Sequence, residues 1–253
     1  MKFSSYDYKA RKNKVEEILD NTNEVKKVEK FPTDNDFTYT NGYKAWTSAI
    51  FVDLRDSTKL FSDKEDVEIA KVIRGFTSEI IEILRKDTTE TDLKEIGIRG
   101  DCVFAVYSTP TQEDIYDVAF RAIYINTYIA MLNNLLNNRK LPIIKVGIGM
   151  DASETLAVKA GRKSSGINNL VWIGKAVSHA SKLSDLGNKD GINSIVMGET
   201  FYNHFLESPR NTQSEEIKKW FESKYHTNLG TYYHGYIVIQ DFNQWIENGM
   251  PAN

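Results

Sequence analysis

Cysteine is all but absent: Cys102 stands alone among 253 residues, so neither an intrachain disulfide nor a cysteine-based zinc site can be built. That fits a reducing cytoplasm, the compartment expected here, with Cys102 as a small buried hydrophobe. Long apolar runs are missing too. The most apolar stretch, 119–136, is interrupted by Arg121, Asn126, Asn133 and Asn134, and the first residues lack the apolar core of a signal peptide. No membrane span or leader is therefore expected. Charge of one sign is not in excess, because 32 Lys plus Arg face 35 Asp plus Glu, and nucleic acid is offered no global field. A Gly-x-x-x-x-Gly-Lys-Ser/Thr motif, an internal repeat and a low-complexity tract are all lacking, which excludes a P-loop nucleotide hydrolase at motif level. The four histidines show no metal-helix spacing. What remains is room for one full core with extensions.

Two carboxylates stand out against that background. The run Ala49-Ile-Phe-Val-Asp53-Leu-Arg-Asp-Ser-Thr58 is apolar until it stops at Asp53, then turns into hydroxyl and charged residues with a helical pattern behind them. It reads as a buried strand delivering Asp53 to a site, with the amides of residues 55–58 aimed at an anion beside it. Ile96-Gly-Ile-Arg99-Gly100-Asp101-Cys-Val-Phe-Ala-Val-Tyr107 reads as two strands meeting in a tight hairpin that exposes Asp101. Either Asp alone is as well explained as a turn residue. Together, two hard oxygen donors at strand ends suit Mg²⁺ or Mn²⁺ held jointly by protein and a polyphosphate.

The rest of the pattern is mixed α and β. Residues 7–30 read as an N-terminal amphipathic helix with Val15, Ile18, Leu19 and Val25 toward one face, packing on the core or on a partner subunit; a linker at Pro32 follows. A domain of 46–253 is expected after this 1–45 extension. Strand 46–54, helix 67–86, the 96–107 hairpin and helix 114–138 come next, then strands 141–150 and 155–160. The polar segment 161–169 reads as a loop, either plain surface or in contact with phosphate. Helix 175–186, strand 192–197, helices 199–206 and 214–224 and a closing strand 231–240 complete an α+β sandwich. Val146-Gly-Ile-Gly149 superficially matches a dinucleotide fingerprint, but no helix follows at once and nothing between Thr155 and Ser184 is acidic, so a glycine-bearing strand is the better reading.

Phe51-Val-Asp-Leu-x-x-Ser-Thr58, Gly100-Asp-x-x-x-Ala105, Val146-Gly-Ile-Gly149 and Trp172-Ile-Gly174-x-x-Val177-Ser-x-Ala180-Ser-Lys-Leu183 resemble, in order and spacing, the class III nucleotide cyclase catalytic domain over residues 46–200. The resemblance implies a ferredoxin-like βαββαβ sheet covered by helices, a head-to-tail homodimer with sites at the subunit interface, and two divalent metal ions. Asp53, Asp101 and the Leu54 backbone carbonyl match the metal positions. Arg55, Asp56, Ser57 and Thr58 match the phosphate-cradling turn. In the helix half, Ser178 and Lys182 stand where family members usually carry Asn and Arg. Ser still hydrogen-bonds; Lys keeps the charge and loses the bidentate fork, with Lys175 or Arg162 as possible support.

At the base-reading positions, where adenylate and guanylate cyclases place Lys and Asp or Glu and Cys, this chain has Gly97 and Val171, flanked by Arg99 and Trp172. Neither purine pair is present. With Asp53-Leu-Arg-Asp-Ser-Thr58, this resembles the pyrimidine cyclases of Pycsar antiphage systems and implies UTP, or else CTP, as substrate, with the cyclic product sensed by a separate effector protein. An adenylate cyclase and a catalytically inactive, nucleotide-binding dimer are the alternatives. A diguanylate-cyclase relative would need the Gly-Gly-Asp/Glu-Glu/Phe hairpin, which is missing.

Overall fold

The computed structural model describes residues 5–21, 24–161 and 168–252. Arg162 and most of the 161–169 loop lie outside the described residues. Helix α1 (Tyr8–Asp20) is capped by the Asp7 side chain and buries none of its residues. It is shorter than the expected 7–30 helix, because the chain then turns extended: β1 (Glu24–Lys27) pairs in parallel with the start of β2 (Asn41–Leu54).

The segment between β1 and β2 is anchored to the sheet. Phe31 and Phe37 are 1% and 2% exposed and pack with Ala45 and Ala157. The Lys94 ammonium, fully buried, donates to the Pro32 carbonyl at 2.8 Å, to the Glu90 carbonyl at 3.0 Å and to Asp34 Oδ1 at 3.1 Å. A buried cation is tolerable only when each proton has an acceptor.

After β2 come α2 (Ser57–Leu60), α3 (Asp66–Arg85), β3 (Leu93–Arg99), β4 (Cys102–Ser108), α4 (Gln112–Asn138), β5 (Val146–Gly161) and β6 (Asn168–Ile173). The sheet path β3-β4-β2-β5 is antiparallel throughout. Crossover helices α3 and α4 make it a ferredoxin-like βαββαβ core. It continues through β7 (Ile195–Gly198) and β9 (Gly230–Gly235) to β8 (Glu222–His226), with β6 paired to β5.

α3 places Val72, Phe76, Ile80 and Leu84 at i, i+4 spacing, each 0% exposed, against the sheet. Burial of each such side chain contributes about 1.5–3 kcal/mol. α4 starts at a capping box in which Thr111 and Asp114 satisfy each other's amides. The opposite face of the sheet carries α5 (Lys175–Ser184), which packs Ala180 and Val177 on Ala49, Phe51, Phe104 and Val106.

Three expected elements are corrected. The two strands at 141–150 and 155–160 are one 16-residue strand, β5, whose polar middle stays in register with β2. The 214–224 helix ends at Lys218 (α7, Ser214–Lys218), and its second half enters β8. The closing strand stops at Gly235, and the chain ends in α8 (Gln240–Glu247), which the sequence pattern did not suggest. α6 (Glu199–Glu207) lies between β7 and α7, as expected.

Candidate active site

β2 and β4 bring the two carboxylates together. Asp53 faces Cys102 on β4 and Gly147 on β5, and the Leu54 amide donates to the Asp101 carbonyl at 3.4 Å. Asp101 sits in the turn after Gly100, whose φ of 64° is the left-handed conformation that favours glycine. Burial raises the Asp53 carboxyl above the usual carboxylate range; Arg55 opposes this, while the charges of Asp101 and Asp185 reinforce it.

Arg55 is locked beside Asp53. Its Nη2 is ion-paired to Asp53 Oδ2, its Nε donates to the Asp53 carbonyl at 3.3 Å, and its Nη1 donates to the Asp185 carbonyl at 2.9 Å. The Arg55 side chain is 3% exposed. Asp56, with φ of 52°, turns the chain into α2, leaving Ser57 half-buried and Thr58 exposed. Cys102 is pushed up to about 12 by burial and by Asp53, so its thiol stays protonated and is no nucleophile.

The donor set suits a hard divalent cation. Among the described residues no three His, Cys, Asp or Glu side chains cluster to hold a metal by themselves. Asp53, Asp101 and the Leu54 carbonyl could hold such an ion only together with substrate oxygens and water, as Mg²⁺ prefers.

The remaining site residues lie elsewhere, and Val171, paired with Val158, faces the side of the sheet opposite Trp172 and α5. Gly97 on β3 is roofed by Phe104: a Cβ there would stand 2.8 Å from Phe104 Cε1. Phe104 stacks on Phe51 at 5.2 Å, and the exposed Arg99 places its guanidinium 5.6 Å from the Phe104 ring centre. Val171 is 42% exposed on β6. Trp172 donates from its indole to Glu95, two residues before Gly97, and meets Phe31 edge-on at 5.3 Å. Ser178 and Lys182 are exposed on α5; the Ser178 hydroxyl bonds back to the Gly174 carbonyl at 3.3 Å. Within one chain, then, Asp53, Leu54, Arg55 and Asp101 form one constellation, and Gly97, Arg99 and Trp172 a second corner.

Sequence reasoning missed Asp185, whose carbonyl holds Arg55 and whose charge reaches Asp53, and Lys189, which pulls Asp53 the other way. It also missed Phe104 and Glu95. Only Asp185 left a trace, since a helix docked on glycines must end near the strand that carries Asp53.

Fold and site together define the class. The adenylate and guanylate cyclase catalytic domain matches residues 42–218, and the chain belongs to that family, the class III nucleotide cyclases, as an enzyme. It is 42% identical over 248 residues to a uridylate cyclase of Treponema porcinum, covering 98% of this chain and 83% of that protein. It is 28% identical over 253 residues to a uridylate cyclase of Gulbenkiania mobilis, covering 96% of both. The adenylyl cyclase CyaB from P. aeruginosa shares the fold with a TM-score of 0.61 at 15% identity, over 79% of this chain and 98% of that one. No helix among the described residues is long and apolar enough to cross a membrane.

Proposed function

We propose that the chain cyclises a pyrimidine nucleoside triphosphate, UTP in preference to CTP, to its 3′,5′-cyclic monophosphate. The ribose 3′-oxygen bonds to the α-phosphorus, the bond from that phosphorus to the bridging oxygen breaks, pyrophosphate leaves, and the hydroxyl proton passes to solvent. The observation that carries the base preference is the Phe104 ring over Gly97. Where adenylate cyclases extend a lysine to the purine, this chain has an aromatic ring that a Cβ at position 97 would overlap, so no purine-reading side chain fits without moving it. The two uridylate cyclases among its relatives support the choice of UTP.

Asp53, Asp101 and the Leu54 carbonyl would hold two divalent ions, Mg²⁺ or Mn²⁺, which when bound neutralise the polyphosphate and acidify the 3′-hydroxyl. Arg55 keeps the Asp53 carboxylate oriented and partly neutralised. The Arg55 amide, expected to face an anion, instead donates to the Lys145 carbonyl at 2.8 Å, so the amides of Asp56, Ser57 and Thr58 are those that donate to phosphate oxygens. Arg99 and the Trp172 corner are the groups left to face the base. Ser178 and Lys182, exposed on α5, serve the site of a second copy in a head-to-tail homodimer: Ser178 orients the ribose, and Lys182 meets the charge growing at phosphorus. The resemblance to antiphage cyclases supports a signalling role, with the product read by a separate effector.

The test is product analysis with each of the four triphosphates and Mn²⁺. Cyclic UMP is expected as the main product, cyclic CMP next, and the purine products far behind. Faster turnover of ATP than of either pyrimidine would overturn the base assignment.

A further inference from the structure

Along β5, alternate residues from Gly147 to Thr155 all meet α5. A Cβ on Gly147 would stand 2.0 Å from the Ser184 carbonyl oxygen, and one on Gly149 2.1 Å from the Ser184 amide nitrogen. Strand and helix backbones are therefore in direct contact. Asp151 follows on the same face, then Ser153, whose hydroxyl accepts from the Ala176 amide at 2.9 Å, then Thr155, which packs under Gly174. Backbone contact at the glycines fixes the height of α5 above the sheet. It grips nothing that would stop the helix rolling about its axis.

Ser153 grips the first turn of α5, and Asp151 supplies the grip at its middle. Its carboxylate is 9% exposed, its Oδ1 accepts from the Ala152 amide at 2.8 Å, and its Oδ2 lies 3.2 Å from His179 Nδ1. Gly198 makes room for it, since a Cβ there would stand 2.5 Å from the carboxylate. His179 follows Ser178 directly and precedes Lys182 by one turn.

We propose that Asp151 and His179 form a positioning pair that sets the roll of α5 and thereby aims Ser178 and Lys182. This rests on the assignment of Ser178 and Lys182 to the reaction. Holding α5 from its sheet side, through Asp151 against His179 and Ser153 against the Ala176 amide, leaves its outward residues free for substrate. The charged groups that reach the pair, Lys175 and Lys182, are both on α5; β2 offers only Ala49 opposite Asp151, and β7 ends in Gly198 beside it. Burial pushes the Asp151 carboxyl up to about 7 and the His179 imidazole down, so the buried setting favours the uncharged form of each.

Two measurements test the pair on the full-length protein. Steady-state kinetics use whichever of the four triphosphates is turned over fastest, so an error in base preference does not touch the result. Asp151→Ala and His179→Phe should each lower kcat about tenfold with KM within about twofold, and the double variant should be no worse than the worse single one. Asp151→Asn and His179→Gln, which keep a polar group on each side of the contact, should retain more than half of wild-type kcat. The second measurement needs no substrate: hydrogen exchange at the 175–184 amides should quicken in Asp151→Ala and His179→Phe, while that of the α3 amides stays as in wild type. Losses that multiply in the double variant, or unchanged α5 exchange, overturn the proposal. Wild-type protein that cyclises none of the four triphosphates would instead remove the assignment of Ser178 and Lys182, and hydrogen exchange would still decide whether the pair holds the helix. Should Asp151→Ala not fold, Asp151→Asn set against His179→Phe carries the comparison.

Discussion

Replacing Arg55 by methionine separates two roles for a charged residue in a site motif: contact with substrate, or support of a carboxylate. The guanidinium is 3% exposed in its side chain and spends its donors on the Asp53 carboxylate, the Asp53 carbonyl and the Asp185 carbonyl. Methionine fills much of the same volume and satisfies none of them. Breaking a buried pair by removing one partner costs roughly 3–5 kcal/mol. At about 2–4 °C per kcal/mol for a chain of this size, Tm should fall by roughly 10 °C. The loss has a pH signature.

Asp53 already titrates above the ordinary carboxylate range, and without Arg55 it titrates higher still. A carboxyl raised in the folded state favours folding while it is protonated; that advantage goes as pH rises through its folded value. The gap between wild type and Arg55→Met should therefore be small near pH 4 and widen toward pH 8. Thermal unfolding monitored by circular dichroism in chelator, at both pH values, reads it directly. The ratio of UTP to CTP turnover in the surviving enzyme should match wild type. A changed ratio with an unchanged Tm would mean that Arg55 touches the base, and the structural role argued for it would fail.

Asp53→Ala and Asp101→Ala should each abolish turnover while leaving far-ultraviolet circular dichroism unchanged, since each removes one of two side-chain donors at the proposed metal site; near wild-type rates in either would remove that site. Asp151→Asn should gain stability relative to wild type as pH rises from about 4 to 7 and hold the gain above, up to roughly 4 kcal/mol, because burial raises Asp151 to about 7 and the amide never ionises. Urea titrations at pH 5 and pH 8 would show a constant difference if the carboxyl were not raised. Mixing Asp101→Asn with Lys182→Ala, each inactive alone, should restore about a quarter of wild-type activity, since half the re-paired dimers carry one intact site of two. No recovery after confirmed subunit exchange would place both halves in one chain.

Much of this was legible because it depends on local pattern. Asp53 and Asp101 announce themselves as carboxylates closing apolar strands, and α3 shows its buried stripe at helical spacing. What stayed hidden depends on contacts made far along the chain. Asp151 and Ser153 look like a polar break between two strands, yet both sit inside one strand because α5 supplies their partners. Arg55 looks like a substrate ligand because nothing local reveals that the Asp185 carbonyl, 130 residues on, will enclose it. Glu222–His226 has no alternation to mark it, and pairs as an edge strand only because β9 lies beside it.

The glycines of β5 show how one choice of residue shapes both halves of the site. Gly147 stands opposite Asp53 in the sheet, and the space its missing side chain leaves is occupied by the Ser184 carbonyl at the end of α5. A larger residue would lift the C-terminal end of that helix away from Asp53, and the Asp185 carbonyl would no longer reach Arg55. The same helix carries Ser178 and Lys182 on its exposed side, roughly 10 Å and roughly 5 Å along its axis from Asp185. One rigid element thus has its C-terminal end packed on Gly147, the sheet neighbour of Asp53, and leaves Ser178 and Lys182 exposed. Displacement of α5 would disturb both, so substitutions at Gly147 and Gly149, which touch no substrate, belong among the most damaging this chain can suffer.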